Sequence, residues 1–169
     1  GLDTEKTLQL DLGYQHQHGV FSSWVSAYAG LVNDYILMSY HMHGSSFSAG
    51  AKNVDATIAG AEAGVGYQFA DTIQADLSAM YAWGENTDTN KPLPQIAPLE
   101  ARLNVRYVQD KYSLGMLVRT VAKQDRISLN QGNIVGYDMG ESAGFTTLAL
   151  NASYNIQKDL NLAVGVDNV

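Results

Sequence analysis

The stretch Pro98–Tyr107, PLEARLNVRY, separates into two faces when every second residue is taken. Leu99, Ala101, Leu103, Val105 and Tyr107 form one set; Glu100, Arg102, Asn104 and Arg106 form the other. A period of two belongs to a β-strand, because a helix of 3.6 residues per turn would mix the sets. TIQADLSAMYAW repeats the division, with Ile73, Ala75, Leu77, Ala79, Tyr81 and Trp83 against Gln74, Asp76, Ser78 and Met80. Leu148, Leu150, Ala152, Tyr154 and Ile156 oppose Thr147, Ala149, Asn151, Ser153 and Asn155, and Leu160, Leu162, Val164 and Val166 oppose Asn161, Ala163, Gly165 and Asp167. TIAGAEAGVGYQF places Ala59, Ala61, Ala63, Val65, Tyr67 and Phe69 against Gly60, Glu62, Gly64, Gly66 and Gln68. From Phe21 to Met38 the phase is unresolved, because Trp24 and Tyr28 share a parity with serines.

The chain therefore reads as all-β, with about eight strands near 4–15, 20–38, 56–69, 73–84, 98–108, 112–124, 146–156 and 160–168. Short connections (HQHG, ADT, QDK, QKD) alternate with long polar ones at about 39–55, 85–97 and 125–145. Soluble sheets favour strands of about five or six residues. Ten residues at ~3.3 Å each, tilted by ~45°, rise about 23 Å, which matches the ~25 Å apolar band of a membrane barrel. The apolar parity is free of charge in the central segments and carries aromatics towards the strand ends, including Tyr14, Tyr67, Tyr107 and Tyr154. Lipid requires the first and interfacial girdles supply the second. The opposite parity carries Asp11, Glu62, Asp76, Glu100, Arg102, Arg106 and Arg119, as a wetted lumen does. Both the short first connection and the ending VGVDNV lead us to expect a segment of a wider antiparallel transmembrane barrel rather than a closed miniature one.

Composition excludes several functions. No apolar run reaches the ~20 residues of a membrane helix. A net charge of −7 argues against a nucleic-acid partner, whose phosphates need a basic face. With no cysteine, disulfide scaffolds and thiolate metal sites are absent. GAEAGVG (60–66) lies within a strand and opens no helix, so its glycines are not a phosphate loop; they are expected to be lumen-facing positions of close backbone approach. No nucleophile elbow or metalloprotease helix occurs, and no catalytic residue or bound cofactor is expected. His16 and His18 are placed in a short solvated turn.

One cluster remains. MSYHMHG brings Met38, His41, Met42 and His43 together at the start of an expected outer loop. Imidazole suits Cu(II) and thioether suits Cu(I), which makes these four residues a candidate auxiliary copper site; ordinary polar loop filler is the competing reading.

The segments EKTLQLDLGYQ, KNVDATIAGAEAGVGY, KPLPQIAPLEARLNVRY, QGNIVGYDMGESAGF and LNLAVGVDNV resemble the C-terminal barrel region of TonB-dependent outer-membrane receptors. QGNIVGYDMGESAGF and PLPQIAPLEARL are similar to the copper-receptor subgroup. The resemblance spans essentially all of residues 1–169 and implies part of a plugged barrel of about 22 strands. It implies residence in the bacterial outer membrane and uptake of copper as transported substrate. Its partners are then the TonB complex reached through a plug, the plug itself, the remaining strands and membrane lipid. On this layout the plug and closing strand lie outside the chain, together with any ligands they provide. Two alternatives stay open: a receptor of the same kind for a siderophore or haem, and a soluble or surface β-sandwich acting as a binding module.

Overall fold

A computed structural model describes residues 1–43, 46–132 and 140–169, and for Met42 and His43 the backbone alone. Among the described residues nine strands follow one another: β1 (Lys6–His18), β2 (Phe21–His43), β3 (Ser46–Ala70), β4 (Ile73–Asn86), β5 (Lys91–Pro92), β6 (Glu100–Val108), β7 (Tyr112–Val121), β8 (Phe145–Gln157) and β9 (Leu160–Val166). They form one antiparallel meander in the order β1-β2-β3-β4-β6-β7-β8-β9, with β5 folded back on β4. β1 and β9 do not pair with each other, so the sheet is an open arc.

The register joins the apolar parities into a single face. Leu77 lies opposite Leu103, Leu103 opposite Val118, and Val118 opposite Leu148. Glu62, Met80 and Glu100 form a row on the other face, next to the row of Ser78, Arg102 and Arg119. Each strand's polar set therefore continues the next strand's polar set, which is what one lipid face and one lumen face require.

β2 also acquires its phase from the register. Val25, Ala27, Ala29 and Leu31 pair with the outward residues of β1 and β3, which turns Trp24 and Tyr28 to the polar face. Both rings find room because β3 carries glycines beneath them. A Cβ on Gly64 would lie 2.5 Å from Trp24 Nε1, and one on Gly60 would collide with the Tyr28 ring. The neighbouring strand of the same wall thus fills the space that these two glycines leave.

Two connections differ from expectation. His16 and His18 lie in β1, and the turn is only Gly19 and Val20, with Gly19 at φ 55°. The described residues of 39–55 are strand rather than loop, since β2 and β3 stay paired to His43 and Ser46. A bulge conceals this continuation from a period count. Asn33 and Asp34 stand against Asp55, with Asp34 at φ 58°. The Asn53 amide donates to Asp34 O at 2.6 Å and the Asp34 amide donates to Asp55 Oδ1 at 3.3 Å, so the extra residue is held by side chains. One inserted residue exchanges the faces of everything beyond it.

Candidate functional site

Beyond the bulge, the β2–β3 hairpin rises past the end of β1, whose last pair is Lys6 with Asn33. Buried residues concentrate here, among them Val32, Leu37, Tyr40, Val54 and Ala56. Leu93, just after β5, forms one cluster with Val32 and Ala56, and Ile96 and Tyr35 pack against it. Burial, with the Glu5 carboxylate adding to it, raises the Tyr35 phenol above its ordinary pKa. The described residues of the β2–β3 and β4–β6 connections thus pack into one rim.

The edge of β2 left open by β1 is taken by a distant segment. The Tyr40 amide donates to Asn130 O at 2.9 Å, the Gly132 amide donates to Met38 O at 3.0 Å, and Ser39 bridges to Gln131. Residues 122–132, which follow β7, therefore cross to the far side of the rim as a strap. Along its course Ser128 Oγ donates to Pro92 O at 2.6 Å, and the Arg126 guanidinium lies 5.2 Å over the Trp83 ring.

The four candidate metal ligands sit in this raised part of β2. Met38 is half-buried opposite Ala51, and His41 is exposed opposite Ser48. Three residues apart in a regular strand, they occupy opposite faces, so the structure does not bring this pair together. Met42 and His43 pair through their backbones with Phe47 and Ser46, and their side chains lie outside the described residues. No group of three or more His, Asp or Glu suited to a metal occurs among the described residues. What the arrangement offers is donors displayed along one rim strand.

Below the rim, the lumen face is cross-linked by charge. Glu100 accepts from Arg102 Nε and from Arg119 Nη2, both at 2.6 Å, and Arg106 donates to Gln74 at 2.9 Å. Gln74 in turn donates to Asp76 at 3.0 Å. A space of about 240 Å³ lies between Trp24, Glu62, Met80, Glu100 and Arg102. Sequence reading found these carboxylates and arginines but missed Trp24 and Tyr28 beside them. The available signal was their shared spacing with Gly60 and Gly64 on the following strand.

Residues 1–169 match the family described as TonB dependent receptor-like, beta-barrel. Among solved structures, the copper transporter OprC is 44% identical, with a TM-score of 0.94 over 99% of this chain and 26% of its own. A mutant of the ferric enterobactin receptor PfeA from Pseudomonas aeruginosa is 18% identical, with a TM-score of 0.76 over 100% of this chain and 26% of its own. The siderophore receptor PirA from Acinetobacter baumannii is 15% identical, with a TM-score of 0.73 over 98% and 27%. The chain spans about a quarter of the length of these structures. No curated protein sequence matches it.

Proposed function

The chain belongs to the TonB-dependent receptor-like β-barrel family, and from that membership we propose that it builds part of the wall of an outer-membrane receptor that imports copper. The observation carrying the cargo is the 44% identity to the copper transporter OprC along 99% of the chain, against 15–18% to siderophore receptors of the same fold. At the lower level only the architecture is shared. Residues 1–169 act as the C-terminal portion of a barrel of about 22 strands, whose plug and remaining strands complete the lumen and transmit energy from TonB. The open edges of β1 and β9 support this reading, because unpaired strand edges in lipid have no water to satisfy them. Residues 1–169 alone should accordingly give no discrete single-channel conductance in planar bilayers. The wall's work is binding and passage, with no chemical step.

Loss of the receptor should lower cellular copper at low external supply and leave ferric-siderophore uptake unchanged. The reverse pattern would assign a siderophore as cargo. Within this reading Met38, His41, Met42 and His43 are auxiliary copper donors displayed along one rim strand, Met38 and His41 on opposite faces, where the receptor first meets its cargo. Replacing His41, Met42 and His43 together by alanine should weaken copper uptake severalfold at low external copper without abolishing it. Unchanged uptake in the triple variant returns the segment to ordinary rim hairpin.

A further inference from the structure

At the short-turn end of the arc, the outward face of β1 finishes in three rings on alternate residues. Tyr14 and His16 stack with centroids 6.5 Å apart and planes 6° from parallel. His16 and His18 follow at 6.5 Å and 22°, and Phe21 closes the group 6.4 Å from His16. Both imidazoles are exposed, and among the described residues no hydrogen bond or ion pair engages either ring. The register puts Phe21 opposite His18, Ser23 opposite His16 and Val25 opposite Tyr14, so no carboxylate stands across from them on this face.

The rest of this rim needs only the amphipathic rings that suit a membrane–water boundary, such as Tyr67, Tyr107 and Tyr154. An imidazole offers something those rings lack, a nitrogen lone pair for a metal ion. Residues two apart on a strand lie on one side, about 6.6 Å apart along it. Being exposed, the two rings are free to turn towards each other, and nitrogens at about 2.0–2.1 Å from one ion are then within reach. Neutral imidazole favours borderline divalent cations, among which Cu(II) binds most tightly.

We propose that His16 and His18 form a two-imidazole chelate for a borderline divalent cation, Cu(II) foremost, on the outer wall at the short-turn boundary of the membrane. Water fills the remaining positions of the ion. The site stands at the opposite end of the span from Met38 and His41, and it does not depend on what the receptor imports.

Titration of the whole receptor in detergent with Cu(II), followed by electron paramagnetic resonance, tests the assignment. The parent should bind one nitrogen-coordinated equivalent more than the double variant His16→Gln, His18→Gln. Each single variant should weaken that equivalent, and Tyr14→Phe should retain it. Exposed imidazoles leave no cavity when replaced by glutamine, and heat-modifiable migration on gels reports that the barrel is intact. Equal stoichiometry and equal nitrogen hyperfine structure in parent and double variant would overturn the proposal. Uptake is not the readout, so a cargo other than copper leaves the result standing.

Discussion

Leu103→Arg should sharply reduce assembly of the receptor barrel in the outer membrane, whereas Asn104→Arg, one residue along the same strand, should assemble close to the parent level. Leu103 lies opposite Leu77 and Val118 on the outward face; Asn104 lies opposite Asp76 and Leu117 on the lumen face. An arginine on the lipid face near the midplane costs roughly 2–4 kcal/mol, while on the lumen side it meets water and carboxylates. The amount of folded, heat-modifiable receptor in isolated outer membranes measures the difference. Equal amounts of both variants would mean that the two faces are misassigned.

The second large effect is expected at Gly64→Val. The first added carbon already falls 2.5 Å from Trp24 Nε1 and 2.6 Å from its Cε2, so the indole must leave its place across β3. Overpacking of this kind costs about 1–3 kcal/mol. Trp24→Ala opens the space, and the double variant should recover most of the loss. Unfolding of the parent, both singles and the double in detergent gives the coupling directly. Additive effects would show that the ring does not occupy the space above Gly64.

The faces of β4, β6, β8 and β9 were legible because burial acts on them as a simple alternation over most of their length; the one break, in β8 between Asn155 and Gln157, falls at the strand's end. β2 was not, for a reason outside any single strand. Trp24 and Tyr28 are large rings on the polar side, and only Gly60 and Gly64 on β3 make that position available. The rim failed for another reason. Residues 39–55 carry four serines and two glycines, and the bulge at Asn33 and Asp34 breaks the count just before them. Backbone pairing and the strap then support a strand that local propensity does not. For the candidate copper ligands, the composition was readable but the convergence was not. Four donors in six residues look like a cluster in text, whereas a continuing strand sends Met38 and His41 to opposite sides.

The strap joins Ser39 to Gln131, partners roughly ninety residues apart in sequence, and closure entropy rises only slowly with such length. The larger consequence concerns the edge itself. Beyond β1, the raised edge of β2 takes its backbone partners from the strap, so whenever the strap is undocked that edge is a template for foreign strands. The Tyr40 amide, bonded to Asn130 O of the strap, then exchanges its hydrogen at a rate that reports how often the strap opens.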